Sequence, residues 1–588
     1  MAKVRAPELS GRGGWIGSEP LTLAELRGRF VLLDYWTFCC VNCLHVLDEL
    51  RPLEAKWRDV LTVIGIHSPK FAHEAVHESV VAAVERYEVH HPVLDDPDLA
   101  TWKQYAVRAW PTLVLVDPEG YVVHVASGEG HADGLDRLLT ELVAEHEAKG
   151  TLRRGDTPYT PPPPSPSPLS FPGKALRLAD GGLLVSDSAH HSLVVLDAEG
   201  DVVRRIGTGT RGRQDGARPS FAEPQGLALL DSGHVLVADT ANHLLRALDL
   251  ATGVVETVAG TGQVWRPGDP TSGPALETNL STPWDVAVWA GQVVVAMAGT
   301  HQLWAFDGDT VSVLAGTTGE GLRDGDAPLA YLAQPSGLAA GADRLWFADS
   351  ETSALRWYRD GQVGTAVGTG LFDFGHRDGP AAEALLQHPL GVTALPDGSV
   401  AVCDTYNGAV RRYDPATDTV STLMTGLAEP SDAVVDGEHL LVVESAAHRV
   451  TRLQLPDEAL VVDGVAQRTQ RPVTELAPGE VALEVVFTPP PGQKLDESFG
   501  PSTRLTVTAS PPELLVAGAG TTTELTRTLV LAGTEGVLHV AAFAASCDVD
   551  AEHAACHVTQ QDWGIPVRLV TGSPTTLALV LNGLSTGG

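Results

Sequence analysis

The chain has 588 residues, and its 74 acidic against 40 basic residues give a formal net charge of −34. This length exceeds what one hydrophobic core supports, so three or four domains are expected. The negative charge disfavours phosphate backbones and argues against a nucleic-acid-binding protein. Residues 1–20 lack an apolar signal core and no run of about 18 apolar residues follows, so we expect a cytoplasmic protein without membrane contact.

Other features of the composition indicate folded domains with much β structure. Hydrophobic residues make up 43% of the chain, and the 60 glycines and 40 prolines are typical of many turns. Only six cysteines are present, which fits a reducing compartment where a C-x-x-C pair is more often catalytic than structural.

The first informative stretch runs from a buried strand into a helix. Residues 30–33 are apolar, and leucines recur at helical spacing between residues 44 and 53. Cys40 and Cys43 therefore fall at a helix N-terminus, where the helix dipole favours a thiolate. Cys40, at the exposed end, would attack the disulfide of a client protein, and Cys43, one turn deeper, would resolve the mixed disulfide. We predict a redox dithiol that needs no cofactor.

Other interpretations of the C-x-x-C pair remain open. A zinc half-site would need two further ligands, and no second C-x-x-C or H-x-x-x-H lies nearby. A structural disulfide or two core cysteines would also fit the spacing. The position between a strand and a helix favours redox chemistry, and no metal site is predicted.

Two separated motifs give this region a resemblance to thioredoxin-like proteins, especially the membrane-anchored cytochrome-maturation type. Asp34-Tyr35-Trp36 precedes the cysteine pair, and Trp110-Pro111-Thr112 precedes a strand and a turn. The resemblance implies an α/β thioredoxin-like fold over residues 20–148. It further implies that Asp34 helps deprotonate Cys43 and that Pro111, preceded by Trp110, is a cis proline that guides the substrate backbone.

The resemblance is incomplete at two positions beside the pair. Cys39 replaces an aromatic residue of the family, and Asn42 replaces its frequent central proline. Cys39 is either a small buried substitute or a third thiol. Histidines occur at two strand ends, at His67 and at His90-His91, and His67 is the better candidate for lining the thiol pocket. The alternative is that these are ordinary loop histidines.

A proline-rich linker separates this region from the next. Seven prolines lie between residues 158 and 168, a composition that favours an extended, semi-rigid spacer. We therefore assign residues 1–150 to a thioredoxin-like domain and residues 151–170 to the linker.

Residues 171–456 contain an internal repeat. Six copies, about 40–58 residues apart, each carry an apolar strand, a polar turn and a second strand. The first strand often ends in a small residue and an aspartate, as at Asp187, Asp239, Asp349 and Asp404. This pattern predicts a six-bladed β-propeller and resembles NHL repeats. We expect the repeated aspartate to accept backbone hydrogen bonds at the turn.

The connections between the repeats are rich in glycine. Three of them continue to an Asp-Gly pair, at Asp215, Asp324 and Asp378. None opens a βαβ unit, so these strings do not predict a phosphate site. Loops on one face of the propeller would instead form a docking surface for an unknown partner.

Residues 457–588 alternate in strand fashion and predict a small β-sandwich-like domain. Cys547 and Cys556 lie within it, with His553 and His557 nearby, and could be reduced thiols or zinc ligands. The region also resembles the immunoglobulin-like domain of transmembrane disulfide reductases. That resemblance implies that Cys547 and Cys556 form a second thiol pair, an internal redox partner for Cys40 and Cys43.

The order of these modules resembles the NHL-repeat-containing protein 2 family and its bacterial relatives. We predict a thiol–disulfide oxidoreductase that acts on a protein client, with the propeller as a docking platform. The alternative is a non-catalytic scaffold in which the thioredoxin-like domain only binds partners, a view favoured by Cys39 and Asn42.

Overall fold

A computed structural model describes residues 4–161, 166–455, 464, 466–468, 471–495, 501–549 and 556–584. The chain forms two compact units: residues 1–70, 74–163 and 470–588 make the first, and residues 71–73 and 164–469 make the second. The second unit is thus inserted into the chain of the first. Residues 162–165 of the predicted linker lie outside the described part. No described helix is both long and apolar enough to cross a bilayer.

The N-terminal part of the first unit has the predicted thioredoxin-like α/β fold. Its central strand, Phe30–Trp36, is buried over all seven residues, because a strand pairs with it on each side and both of its faces are covered. The elements are β1 (Val4–Arg5), β2 (Gly14–Ile16), β3 (Phe30–Trp36), α1 (Val41–Trp57), β4 (Leu61–His67), α2 (His77–Arg86), β5 (Val93–Asp95), α3 (Ala100–Gln104), β6 (Thr112–Val116), β7 (Tyr121–Ser127) and α4 (Ala132–Lys149).

The order of strands in this sheet determines where the cysteines lie. The sheet runs β2-β5-β4-β3-β6-β7, with β3 parallel to β4 and antiparallel to β6. One face packs against α1 and α4 through Leu32, Val46, Leu50 and Leu139. Because α1 starts directly after the carboxyl end of β3, the cysteine pair lies at the edge where α/β sites form.

The second unit is the predicted six-bladed propeller, with one antiparallel sheet per blade. In chain order its strands are β8 (Pro172–Arg177), β9 (Leu183–Asp187), β10 (Ser192–Leu196) and β11 (Val202–Ile206); β12 (Pro224–Leu229), β13 (Val235–Asp239), β14 (Leu244–Leu248) and β15 (Val255–Ala259); β16 (Ser272–Pro274), β17 (Pro283–Trp289), β18 (Gln292–Met297), β19 (Gln302–Phe306) and β20 (Thr310–Ala315); β21 (Gly325–Asp326), β22 (Pro335–Ala340), β23 (Leu345–Asp349), β24 (Ala354–Arg359) and β25 (Gln362–Val367); β26 (Asp373–Gly375), β27 (Gly379–Pro380), β28 (Gly391–Ala394), β29 (Val400–Asp404), β30 (Ala409–Asp414) and β31 (Thr419–Thr425); β32 (Pro430–Asp436), β33 (His439–Glu444) and β34 (Arg449–Gln454). A further strand, β35 (Ala466–Arg468), pairs with β26.

The repeated aspartate accepts a backbone hydrogen bond, but the donor lies in the segment before the innermost strand of the blade and not in the predicted turn, because the buried carboxylate faces that segment. It also pairs with a buried arginine. In the second blade, Asp239 accepts from the Ala222 N–H at 2.8 Å and from Arg246 at 2.7 Å. The other end of Arg246 binds Asp215, one of the three Asp-Gly aspartates, at 2.7 Å. Two further sets repeat this arrangement: Asp349, Arg356 and Asp324, and Asp404, Arg411 and Asp378. The aspartates of these Asp-Gly connections therefore stabilise the interior of the blades.

Histidines join neighbouring blades. Each follows a single-turn 3-10 helix in the left-handed conformation, and its Nδ1 accepts a backbone N–H from the next blade. The pairs are His191 with Glu223, His243 with Thr282, His301 with Gln334 and His448 with Phe171. The last of these pairs joins the sixth blade to the first, so the ring of blades is closed in part by a hydrogen bond to a side chain.

A buried ion cluster occupies the centre of the propeller. Lys174 is the only lysine between residues 171 and 456, and it lies on the innermost strand of the first blade. Its Nζ is 3.3 Å from Asp285 Oδ2 and 3.8 Å from Asp432 Oδ1, on the third and sixth blades, and donates to the Leu390 carbonyl at 2.9 Å. Glycines stand at the equivalent positions of the other three blades, including Gly226, where a Cβ would lie 2.5 Å from the Asp285 Cα.

The C-terminal strands form a two-sheet sandwich around a core that includes Leu505, Val540, Trp563 and Leu579. They are β36 (Thr474–Leu476), β37 (Gly479–Phe487), β38 (Gln493–Leu495), β39 (Thr503–Ser510), β40 (Leu515–Ala517), β41 (Gly520–Thr522), β42 (Thr526–Leu531), β43 (Glu535–Asp548), β44 (Cys556–Leu569) and β45 (Thr576–Leu584).

One of these two sheets continues the thioredoxin-like sheet. Strand β45 pairs antiparallel with β7, Asn582 lying opposite Ala126, and the sheet proceeds through β37 and β42 to β40. The predicted thioredoxin-like and C-terminal domains therefore share one eleven-stranded sheet.

Candidate functional site

The two cysteines of the C-x-x-C pair lie on the first turn of α1, as predicted. Cys40 is the N-cap residue, and its carbonyl accepts the N–H groups of Cys43 at 3.0 Å and Leu44 at 3.2 Å. Both cysteines are free thiols; Cys40 is half-buried and Cys43 is fully buried. Cys40 is therefore open to molecules in solvent, whereas Cys43 can react only with a group already held at Cys40.

The surroundings of Cys43 oppose its ionisation. Burial raises the pKa of the Cys43 thiol well above its ordinary value, and a hydrogen bond with the Cys40 thiol and the charge of Asp34 raise it further. A backbone N–H of Thr37 acts in the opposite direction by donating to the Cys43 sulfur. Because only the thiolate is nucleophilic, Cys43 needs a nearby base in order to resolve a mixed disulfide.

Asp34 is placed to be that base. Its side chain is fully buried on β3, and neither carboxylate oxygen has a hydrogen-bond partner among the described residues. Burial raises the pKa of Asp34 to about 7, while attraction by His91 lowers it and repulsion by Glu54 raises it. A carboxyl group with this pKa can accept and release a proton near neutral pH.

The raised pKa of Asp34 makes the stability of the first unit depend on pH. A carboxyl whose pKa is higher in the folded than in the unfolded state costs stability as pH rises from about 4 to about 7. We expect Asp34→Asn to raise the free energy of unfolding by about 4 kcal/mol at pH 8, and by roughly half as much at pH 5.5.

Urea unfolding followed by tryptophan fluorescence at the two pH values measures this gain. Asp98→Asn, at a carboxylate that is 60% exposed, is the matched control and should change little at either pH. A gain for Asp34→Asn that is equal at pH 5.5 and pH 8 would contradict the burial of an ionising carboxylate.

Glu74, which no sequence motif marks, holds the loop before Cys40. Its fully buried carboxylate accepts the Thr37 hydroxyl at 2.6 Å and the Cys39 N–H at 2.9 Å through Oε1, and the Lys70 N–H at 2.9 Å through Oε2. Cys39 itself is only 4% exposed, which fits the buried substitute better than an accessible third thiol. Glu74 thus stabilises the conformation that presents Cys40.

The predicted proline loop has the expected backbone geometry. The Trp110–Pro111 peptide bond is cis, the Trp110 Nε1–H donates to the Ser68 carbonyl at 2.8 Å, and the Pro111 carbonyl accepts the Gly128 N–H at 3.0 Å. Asn42, in the first turn of α1, is half-buried.

The remaining accessory candidate, His67, is enclosed in the protein. It is fully buried, stacks on Phe38 with ring centroids 5.3 Å apart, meets the edge of Trp36, and lies 3.9 Å from Asp95. These contacts place His67 in the packing behind the cysteine loop rather than on an open pocket wall.

The C-terminal cysteines differ in state from the C-x-x-C pair. Cys547 is disulfide-bonded, and its direct cross-strand neighbour in the β43–β44 ladder is Cys556. The alternatives of a reduced thiol or a zinc ligand are therefore wrong for Cys547. Of the nearby histidines, His553 lies outside the described residues and His557 is 3.5 Å from Asp548.

One group of described residues, Asp117, Glu119 and His146, has the spacing of metal ligands. Two of these residues already have protein partners: Asp117 accepts the Tyr121 N–H at 2.8 Å, and His146 Nδ1 is 2.7 Å from the Thr151 hydroxyl. None of them belongs to the cysteine site, so the group is not connected to its chemistry.

Comparisons with known proteins agree with this architecture. A family model described as thioredoxin-like matches residues 28–122, and one described as NHL repeat matches residues 221–248, 280–306 and 386–413. Thiol-disulfide oxidoreductase YkuV of Bacillus subtilis is 22% identical over 142 residues, which are 24% of this chain and 95% of that protein.

Longer relatives combine the modules. Protein SUPPRESSOR OF QUENCHING 1, chloroplastic, of Arabidopsis thaliana is 38% identical over 74% of this chain, which spans only 44% of that protein. NHL repeat-containing protein 2 of Bos taurus is 35% identical over 78% of this chain and 71% of its own length. The chain therefore belongs to the NHL repeat-containing protein 2 family.

Proposed function

We propose that this protein is a thiol–disulfide oxidoreductase that acts on disulfides or thiols of other proteins. The observation that carries the proposal is the arrangement of two free thiols on one helical turn, the outer one accessible and the inner one beside a buried carboxylate. The similarity to YkuV, which is named a thiol-disulfide oxidoreductase, supports the same chemistry.

In the reducing direction the reaction has two steps. The Cys40 thiolate attacks one sulfur of the client disulfide, forming a mixed disulfide and releasing the other client sulfur as a thiolate. Asp34 then accepts the proton of Cys43, and the Cys43 thiolate attacks the Cys40 sulfur. This second step forms the Cys40–Cys43 disulfide, releases the second client thiolate, and leaves the client reduced by two electrons. The oxidising direction is the reverse.

The proline loop supplies the means of holding a client during these steps. By its resemblance to thioredoxin-like proteins, the loop at Trp110 and Pro111 is the segment that we propose to guide a client, by pairing its backbone with that of the client. Such pairing recognises backbone rather than side chains, so it suits an enzyme that accepts varied sequences around a disulfide.

The direct test is a redox equilibrium of the full chain with glutathione buffers. We expect Cys40 and Cys43 to change together from two thiols to one disulfide in a single two-electron transition. Differential alkylation followed by peptide mass spectrometry measures each cysteine separately, so the buried free thiol of Cys403 serves as an internal reference. If no buffer converts Cys40 and Cys43 into a mutual disulfide, the proposed function is wrong.

A second candidate function is a scaffold that binds partners without catalysis. The partial burial of Cys40, with Asn42 in place of the proline of related proteins, favours this alternative. The rate of alkylation by iodoacetamide separates the two functions. In an enzyme the Cys40 thiol should be alkylated rapidly at pH 7, whereas in a scaffold Cys40 should react as slowly as the buried Cys403. In both cases we propose that one face of the propeller docks the partner protein.

A further inference from the structure

Three buried polar side chains converge on the side of β4 that faces the cysteine site. Gly65 lies directly opposite Asp34 in the β3–β4 ladder, so the missing side chain of Gly65 lies on the face that carries Asp34. A Cβ on Gly65 would lie 2.9 Å from Trp36 Nε1 and 3.3 Å from His91 Nε2. A glycine at this position therefore lets the Asp34 carboxylate, the Trp36 indole and the His91 imidazole approach one another.

The atoms of these side chains that point into the cluster have no hydrogen-bond partner among the described residues. Asp34, Trp36 and His91 are at most 2% exposed, and within the described part of the chain neither Asp34 oxygen, Trp36 Nε1 nor His91 Nε2 makes a hydrogen bond. Buried polar atoms without partners are costly and rare in native proteins. A cluster of them beside a redox cysteine indicates a functional arrangement rather than a packing defect.

The other nitrogen of the His91 ring, Nδ1, contacts a partly exposed side chain. His91 Nδ1 lies 3.0 Å from Glu54 Oε1, on the same helix as Cys40 and Cys43, and the Glu54 side chain is 24% exposed. Because an ionised carboxylate only accepts hydrogen bonds, the neutral imidazole carries its proton on Nδ1. His91 Nε2 is then the basic nitrogen, and it is the one on the side of Asp34.

We propose that His91 and Glu54 form a proton exit that connects the buried Asp34 carboxyl with solvent. The proposal rests on the proposed oxidoreductase function and adds two positioning residues to it. Both residues act through Asp34.

The proton balance of the resolving step follows from this arrangement. Asp34 takes the proton of Cys43, and the Asp34 carboxylic acid then passes a proton to His91 Nε2, giving an imidazolium next to the Glu54 carboxylate. The Nδ1 proton of His91 moves to Glu54 and from there to water, which leaves Asp34 a carboxylate and His91 a neutral ring with its proton on Nε2. When the Cys40–Cys43 disulfide is reduced again, the same transfers run in reverse, so Cys43 regains its proton and the His91 proton returns to Nδ1. No additional oxidant or reductant is needed, since only protons move along this route.

The groups that face Asp34 agree with a route in this direction. Cys43 approaches it from α1, Trp36 lies beside it on β3, His91 approaches from the segment before β5, and Glu54 acts from the outer part of α1. Gly65 on β4 adds no titratable group. His91 is thus the titratable side chain that lies between the buried carboxyl and the surface carboxylate.

The test is the reaction of the reduced full-length protein with 5,5′-dithiobis(2-nitrobenzoate) in a stopped-flow instrument. Attack by Cys40 releases one coloured thionitrobenzoate, and resolution by Cys43 releases a second. We expect His91→Gln and Glu54→Gln to slow the second phase about tenfold and to alter its pH profile, while the first phase changes less than twofold. Glu54→Asp, which keeps a carboxylate, should restore most of the second-phase rate.

His90→Gln, at the exposed neighbouring position, is the matched control and should leave both phases unchanged. Circular dichroism of each variant checks that it is folded. If both phases occur and the second phase keeps its rate and pH profile in His91→Gln and Glu54→Gln, the proton exit is wrong and the oxidoreductase proposal stands. If the wild-type protein shows no first phase, the oxidoreductase proposal itself is wrong.

Discussion

Cys40→Ser should abolish the reduction of a disulfide client, whereas Cys43→Ser should trap the client on the protein. With insulin as the client and dithiothreitol as the electron source, we expect Cys40→Ser to lower the rate at least about a thousandfold, because the nucleophile itself is removed. Cys43→Ser should still form the first mixed disulfide but cannot displace Cys40 from it. The difference follows from the burial of Cys43 and the accessibility of Cys40.

Non-reducing electrophoresis measures the trapped adduct, and mass spectrometry locates it at Cys40. The matched control is Cys403→Ser, at a fully buried thiol in the fifth blade of the propeller, which should retain the wild-type rate if the protein folds. Equal loss of activity in both single variants without an adduct in Cys43→Ser would contradict the assigned order of attack.

Lys174→Met should destabilise the propeller by about 3–5 kcal/mol, because it leaves two buried carboxylates without their cation. Burial lowers the pKa of Lys174, but attraction by Asp285 and Asp432 outweighs it, and the pKa lies above its usual value. Burial raises the pKa of Asp432 to about 6 even with the lysine present. The loss should therefore be larger at pH 8, where Asp432 is charged, than at pH 5, where Asp432 is protonated.

Urea unfolding of the full chain at both pH values measures the loss. Lys174→Met combined with Asp285→Asn and Asp432→Asn removes all three charges and should recover most of the stability, while Lys56→Met, at an exposed lysine of the first unit, should have little effect. A Lys174→Met variant as stable as the wild type at pH 8 would show that the lysine does not compensate these carboxylates.

Several features of the molecule could be predicted from short stretches of sequence. A C-x-x-C pair after a strand and before a helical repeat of leucines placed Cys40 and Cys43 correctly, because strand and helix periodicities are local properties. The six blades could also be predicted from the sequence, since each repeat encodes the same turn. Asp34 and Pro111 followed from the resemblance to thioredoxin-like proteins.

Other features depended on contacts between distant residues. Glu74 accepts the Cys39 N–H from the 3-10 turn that follows β4, 35 residues away in the chain, and nothing in its neighbouring sequence marks it. The sequence does not distinguish His91 from His67, because both lie at strand ends, and only packing shows that His91 faces Asp34 while His67 is stacked on Phe38.

The sequence by itself determined the kinds of modules and the position of the cysteine pair between a strand and a helix, because dihedral preferences and side-chain periodicity act over a few residues. Only the tertiary structure decided how the modules are completed: β45 extends the thioredoxin-like sheet, and Lys174 meets carboxylates from two other blades. Those arrangements depend on desolvation and hydrogen-bond pairing between segments far apart in sequence, which no local pattern records.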